Sequence, residues 1–328
     1  MPLLLDDNGM MINHPTYFLT MKCNLRCNYC KAWKLKRNEL SIEEWKDCTE
    51  ILKRTTNLCF ISMMGGEITL LKDGLISIIE HLNSNNVQYA VITNGVIPDH
   101  EFRRKLLQKS HNISASFDTL TPAGKSDNTM EKHYHGQEIL FQAKRYGVRD
   151  VLGLITLKKG KVREVRDIIN MLYRNGIWVS VNSIHYAKDK SYDWIASKKD
   201  IELVQPSQKE YEEYSEMLMD VKKYNPFMHN PVRYFKELPK YARKLNWKCK
   251  YWVPAIDSDG TLRPCIYRTG KLKKFTYLDF EDKLDQIEKV FDEDRKACKG
   301  CYWDCCHILN TSPKNEIIAE YQHTEVEE

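Results

Sequence analysis

The sequence predicts an α/β fold in which a sheet of parallel strands is followed by a small cysteine-rich unit. Three observations carry this. Strand-like and helix-like segments alternate over the first 190 residues, the strand-like segments are continuous apolar runs, and the cysteines gather at two places, three at 23–30 and four at 298–306. Continuous apolar runs mark strands buried on both faces, as in parallel sheets. Repeated βα units with right-handed crossovers give either an open doubly wound sheet or a barrel, and periodicity does not separate the two.

The elements follow in order. YFLTMK (17–22) reads as a strand, and SIEEWKDCTEILKR (41–54) as a helix with Ser41 as N-cap and Glu44 completing a capping box. LCFISMM (58–64) is a strand and LKDGLISIIEHLNSN is helical. VQYAVIT (87–93) is a strand and EFRRKLLQK is helical. NISASFD (112–118) is a strand, followed by a helix near 131–146. VLGLITL (151–157) is a strand, VREVRDIINMLYRNG a helix stopped by Gly176, and IWVSVNSI (177–184) the sixth strand. Beyond 200 the pattern changes to two helical stretches, PSQKEYEEYSEMLMDVKKY (206–224) and PVRYFKELPKYARKL, the second interrupted by Pro239. From Cys249 the chain reads as short, turn-rich segments. Asp259-Gly260 predicts a hairpin turn between WVPAID and TLRPCIY.

A length of 328 residues fits one large domain, or one large and one small. Hydrophobic residues at 42% and charged residues at 29% are a globular composition. The net charge of +5 permits an acidic partner without requiring one, so nucleic acid is not expected. MPLLLDDNGMMINHP carries acids where a secretory signal has bases, and no stretch approaches the roughly 18 apolar residues of a membrane span. This reading places the protein in the cytoplasm, with no membrane partner. Clustered cysteines there are metal ligands or catalytic thiols rather than disulfides. The isolated Cys48 and Cys59 read as small buried apolar residues.

CNLRCNYC places Cys23, Cys27 and Cys30 directly after the first strand. In parallel α/β architectures that loop lies at the C-terminal edge of the sheet, where active sites are built. Three thiolates with no nearby histidine do not close a tetrahedral zinc site. On a four-iron cluster they leave one iron open to a small molecule.

These residues resemble the CxxxCxxC signature of radical S-adenosylmethionine (SAM) enzymes, with Tyr29 before the last cysteine. MMGGEITL (63–70) resembles that family's GGE motif, ITNGV (92–96) its TNG segment and SASFD (114–118) its S-x-D segment, in order on successive strands. The resemblance covers about residues 15–185. It implies a partial (β/α)6 TIM-like barrel over residues 1–190. It also implies a SAM-binding [4Fe-4S] cluster on the catalytic Cys23, Cys27 and Cys30, with a flavodoxin or ferredoxin as electron donor. SAM would chelate the open iron. Gly65 and Gly66 would let backbone approach its methionyl part, and Glu67 would stabilise its ammonium. Thr93, Asn94 and Ser116 would hydrogen-bond ribose or carboxylate, and Tyr29 would pack near the adenine. Reductive cleavage would yield a 5′-deoxyadenosyl radical that abstracts hydrogen from substrate. Ile68 departs from the proline often found after the glutamate. Asp118 stands open between this motif role and a cap or turn residue.

Cys249, Cys265, Cys298 and Cys301 form a second set, with Cys305 and Cys306 as alternatives. Four thiolates suit closed zinc or a four-iron cluster. The stretch from Cys249 through Gly260 to Cys265 resembles the opening of a SPASM extension, and the later CxxC its shortened twitch form. That resemblance implies one auxiliary [4Fe-4S] cluster in a unit at 247–311, joined by a helical linker at 191–246 and followed by an acidic tail at 312–328. Such a cluster would take an electron from substrate, making the enzyme an oxidoreductase, or staple a domain too small for its own core.

The substrate expected is a ribosomally made peptide undergoing maturation. Only about 15 residues precede the first strand, so a separate peptide-recognition protein is the corresponding partner. The alternative is a small-molecule substrate, a sugar or aminocyclitol undergoing dehydrogenation or epimerisation. A GTP cyclase is disfavoured because the chain ends EVEE rather than in two glycines. A purely structural iron–sulfur protein would need no Gly-Gly-Glu loop. Asn182, His185 and Tyr186 at the sixth strand's end are candidates to touch substrate. Tyr302 and Trp303 are expected to cover the auxiliary site, and KAWKLKR (31–37) reads as a solvated basic loop.

Overall fold

The computed structural model describes residues 13–120, 129–250 and 252–303. Six strands, β1 (Thr16–Thr20), β2 (Phe60–Gly65), β3 (Gln88–Thr93), β4 (Asn112–Ser116), β5 (Asp150–Thr156) and β6 (Trp178–Asn182), pair in parallel, each with its successor. A doubly wound sheet reverses its strand order at a switch point. Among β1–β6 the order does not reverse, which is the arrangement of a partial barrel. Helices α1 (Ile42–Thr56), α2 (Asp73–Ser84), α3 (His100–Lys109), α4 (Thr129–Arg145) and α5 (Val162–Arg174) connect the strands. Ser41 and Glu44 form the expected capping box on α1.

The predicted hairpin exists as β7 (Ala255–Ile256) and β8 (Leu262–Arg263), antiparallel across Gly260 at φ 82°. What the sequence did not predict is that β7 pairs in parallel with β1. The sheet therefore runs β6-β5-β4-β3-β2-β1-β7-β8 and is not closed. The free edge of β6 is covered by residues 227–230. Val179 N–H donates to Phe227 O, His229 N–H donates to Val179 O, and the buried Asn230 amide exchanges two hydrogen bonds with Val181.

Three helices follow the sixth strand: α6 (Lys198–Glu202), α7 (Gln208–Lys222) and α8 (Val232–Tyr241). Pro239 lies inside α8 rather than interrupting it. A proline frees the carbonyl four residues earlier. Here that carbonyl, of Phe235, accepts from Ser215 Oγ of α7 at 2.8 Å. Helix α9 (Leu284–Lys296) stands where the sequence reads as turns. Its buried face is Ile287, Val290, Phe291 and Asp294, and the charged fourth member hid the helical period. Asp294 accepts from the N–H groups of Lys271 and Leu272.

One buried ion network joins the hairpin to the rest. Arg263, 1% exposed, donates to Asp257 and to both oxygens of Asp193 at 2.8 Å, and its guanidinium lies 5.2 Å from the Phe18 ring centroid. Arg37 reaches the same Asp193 at 2.7 Å. Removing one partner of such a network strands buried charge. Arg263→Ala is expected to cost about 3–5 kcal/mol in urea unfolding; a loss below about 1 kcal/mol would show that water enters to solvate the aspartates.

Three histidines, His14, His185 and His229, are buried, and burial lowers each pKa to about 4 from 6.5. The unfolded chain therefore takes up these protons first. Stability is expected to be level above pH 6.5 and to fall between 6.5 and 4, by about 1.4 kcal/mol per pH unit for each histidine. Urea titrations across that window, on the wild type and on His229→Gln, measure the slope. An unchanged slope in the variant would exclude His229 from it.

Candidate active site

The loops after the parallel strands meet at one sheet edge. The segment leaving β1 is held by Glu39, whose Oε1 accepts from Thr20 Oγ1 and Met21 N, both at 2.8 Å. The segment leaving β2 lies directly against it: Gly66 N–H donates to Thr20 O and Glu67 N–H to Lys22 O, both at 2.7 Å. A Cβ at Gly65 would sit 2.2 Å from Thr20 O, and one at Gly66 2.2 Å from Lys22 O. The two glycines are thus required by the neighbouring backbone that leads into Cys23, a reason distinct from ligand approach.

Glu67 is 1% exposed and its carboxylate accepts four hydrogen bonds from protein. Oε1 accepts from Thr69 N (3.1 Å), Thr69 Oγ1 (2.7 Å) and Thr93 Oγ1 (2.7 Å), and Oε2 from Asn94 N (2.7 Å). Burial pushes its pKa up, while these four donors pull against the rise. Asn94 carries the link onward, donating to Asn24 Oδ1 at 2.8 Å with its amide nitrogen 3.9 Å from Cys23 Sγ. Ser116 stands at the end of β4, its carbonyl where a Cβ on Gly136 of α4 would be 2.0 Å away.

In the cysteine loop, Leu25 N–H points at Cys23 Sγ (3.4 Å) and Cys30 N–H donates to Cys27 O (3.1 Å). Tyr29 Oη donates to Asp118 Oδ2 at 3.2 Å. Asp118 is completely buried. It also accepts from Thr156 N (2.8 Å) and pairs with Lys158 Nζ at 3.4 Å, whose ammonium lies 5.5 Å from the Tyr29 ring centroid. Asp118 is therefore a tie between the cysteine loop and the β5 loop. Lys158 is the residue that sequence reasoning missed. Nothing in TLKKG separates it from Lys159, and only its place beside Asp118 singles it out.

A strap at 191–196 joins this loop to the second cysteine set. Cys30 bridges Ile195, Lys31 N–H donates to Trp194 O (2.7 Å), and Ala196 N–H donates to Tyr29 O (3.2 Å). Trp194 Nε1–H donates to Ile266 O (2.6 Å), beside Cys265, and its ring stacks on Tyr267 at 5.3 Å. Lys31 and Arg37 of the basic run are ion-paired, to Asp200 and Asp193.

Cys249, Cys265, Cys298 and Cys301 line one cavity, together with Tyr192, Trp252, Tyr267 and Arg268. Among the described residues no disulfide joins any of the four. Burial raises the Cys298 pKa, opposed by the Gly300 N–H at 3.2 Å and by Arg268. Cys305 and Cys306 lie outside the described residues. Among the described residues no three histidine, cysteine or acidic side chains stand close enough to hold a single metal ion. The donor sets, three thiols in one loop and four around one cavity, have the composition that iron–sulfur clusters take. The cavity's aromatic wall is Tyr192, Trp252 and Tyr267. Tyr302 instead stacks on Tyr234 at 4.9 Å, and Trp303 packs on Tyr267 and His185. His185 is neutral, its Nε2 2.6 Å from Tyr302 O. Among the described residues its Nδ1 and Asn182 Oδ1 are buried with no hydrogen-bond partner.

Gly66→Ala is expected to displace the Lys22 carbonyl, lowering both the thermal midpoint and the iron retained per chain. Calorimetry and iron assay measure the two, and wild-type values for both would overturn this account of the glycine.

Comparison with known proteins bears on this geometry. Over 102 residues the chain is 31% identical to the S-adenosylmethionine-dependent nucleotide dehydratase of Selenomonas ruminantium, covering 31% of this chain and 35% of that protein. Over 217 residues it is 23% identical to the GTP 3′,8-cyclase of Clostridium perfringens, covering 62% and 65%. The chain thus spans less than two thirds of the length of either relative. Streptococcus suis SuiB bound to precursor peptide SuiA superposes with a TM-score of 0.60 at 15% identity, over 82% of this chain and 64% of that one. Native anSMEcpe with bound AdoMet does so at 0.56 and 16%, over 88% of both chains. At such identities these two likenesses concern the fold. The family model described as Radical SAM superfamily matches residues 17–195, more than half of the chain and the stretch that holds the cysteine loop, the Gly-Gly-Glu turn and the strand-end residues around them, so this protein belongs to the radical SAM superfamily.

Proposed function

We propose that this enzyme cleaves SAM reductively and abstracts a hydrogen atom from a carbon of a peptide substrate. One observation carries the reading: the three-thiol loop, the Gly-Gly-Glu turn and Asn94 are hydrogen-bonded into one unit at the C-terminal edge of adjacent parallel strands. When bound, the [4Fe-4S] cluster and SAM supply a 5′-deoxyadenosyl radical, chemistry that belongs to the cofactor.

The chain's own residues bind and orient. Cys23, Cys27 and Cys30 hold the cluster. The backbone of Gly65 and Gly66 would let the methionyl part approach, and Thr93, Asn94 and Ser116 would offer hydrogen bonds to SAM. With three donors on Oε1 and one on Oε2, Glu67 fixes Thr93 and Asn94, and Oε2 keeps acceptor capacity that would suit the methionyl ammonium. Asp118 orients Tyr29 and holds Lys158 at the mouth of the site, where an ammonium suits an anionic group. Cys249, Cys265, Cys298 and Cys301 would hold an auxiliary cluster, which would either take an electron from substrate or staple this small unit. A low-potential flavodoxin or ferredoxin supplies electrons.

The peptide reading draws on the fold shared with SuiB, solved with its precursor peptide. The second reading, a small-molecule substrate, draws on the 31% identity to a nucleotide dehydratase. The test is anaerobic reconstitution, an iron count, and assay of 5′-deoxyadenosine after adding SAM and dithionite. About eight irons per chain are expected, with cleavage abolished when Cys23, Cys27 and Cys30 are alanine and strongly reduced in Glu67→Ala. About four irons with cleavage intact would remove the auxiliary cluster. No cleavage under any reductant would sink the enzyme reading.

A further inference from the structure

The second cysteine set opens to the surface through a basic mouth. A cavity of about 290 Å³ is lined by Lys248, Cys249, Trp252, Arg295, Lys296 and Cys298. It shares Cys249, Trp252 and Cys298 with the cavity around which all four thiols stand. Residues 240–250 (KYARKLNWKCK) contain five basic residues and no acid, while residues 292–299 (DEDRKACK) carry three acids followed by three basic residues. Lys244, Lys248, Lys250, Lys296 and Lys299 are exposed. Among the described residues Asp292 is ion-paired with both Arg295 and Lys296. Over residues 240–250 and 292–299 together, eight cations stand against three acids, which leaves a local excess of positive charge.

We propose that this mouth is the docking surface for an acidic one-electron carrier protein of the flavodoxin or ferredoxin class. The inference rests on the proposed iron–sulfur chemistry of the four thiols and adds where its redox partner binds. A carrier must bring its redox group close to the thiol site, and here the path to two of the thiols is the floor of the basic cavity. Electron-transfer encounters are small, below roughly 1,200 Å² of buried surface, so a patch of this size suffices. Charge complementarity then supplies steering and orientation. Nucleic acid is the poorer fit, since single strands bind through exposed rings that stack on bases and Trp252 is buried.

The experiment uses reconstituted protein and an acidic flavodoxin, with affinity measured by calorimetry at low and at physiological ionic strength. The double variant K248E/K296E is compared with R104E/K105E on α3, which changes net charge equally at a remote exposed site. Thermal midpoints establish that both variants fold. The mouth variant is expected to weaken binding about tenfold or more and to flatten its salt dependence, while screening holds the α3 variant within about twofold of wild type. Equal losses in the two variants would reduce the effect to net charge and overturn the proposal. So would an absence of flavodoxin binding, or tighter binding of a short single-stranded DNA at the same salt. An iron count of about four with mouth-dependent binding retained would remove the auxiliary cluster and keep the surface. About eight irons without mouth dependence would remove the surface alone.

Discussion

The buried ion network around Arg263 is the constraint on which the assembly depends. Its guanidinium sits on β8, against Phe18 of β1, and binds Asp257 after β7 and Asp193 in the strap. Arg37, from the end of the cysteine loop, shares Asp193. Four chain segments far apart in sequence are thereby fixed around two aspartates. A buried cation is tolerable only when paired and hydrogen-bonded, so the geometry of each segment is dictated by the others. This joins the hairpin to the sheet and holds the strap between the two cysteine sites.

Within that frame the Gly-Gly-Glu turn acts as a second, finer junction. It touches the β1 extension through backbone hydrogen bonds that admit no Cβ, and the β3 loop through the Glu67 carboxylate. Position is transmitted from the sheet to the cysteine loop by short, satisfied, buried contacts, which gives preorganisation without a rigid loop of its own. The Tyr29–Asp118–Lys158 cluster does the same from the other side. The cysteine loop is thus held at both ends, toward β3 by Asn94 and toward β5 by Asp118.

Membership of the radical SAM superfamily gives these contacts their purpose. An enzyme that handles a reactive radical must hold its cofactor parts in one geometry and exclude water. The strap bearing Trp194 extends this to the second site, since one segment contacts both the Cys30 loop and the Cys265 loop. The two thiol sets therefore belong to one packed unit, although more than 200 residues separate them in sequence.

The alternation of strands and helices, the capping box on α1, the hairpin turn at Gly260 and both thiol sets were legible in the sequence, because each rests on local spacing or periodicity. Helix α9 was not, because a buried Asp294 interrupts its apolar face to cap a neighbouring turn. The sequential order of β1–β6, the pairing of β7 with β1, the role of Lys158 and the engagement of Glu67 by four protein donors were decided only in the tertiary structure. Each depends on which distant segments become neighbours. Residue spacing records what a stretch of chain can do alone; long-range pairing and the satisfaction of buried charge decide what it meets.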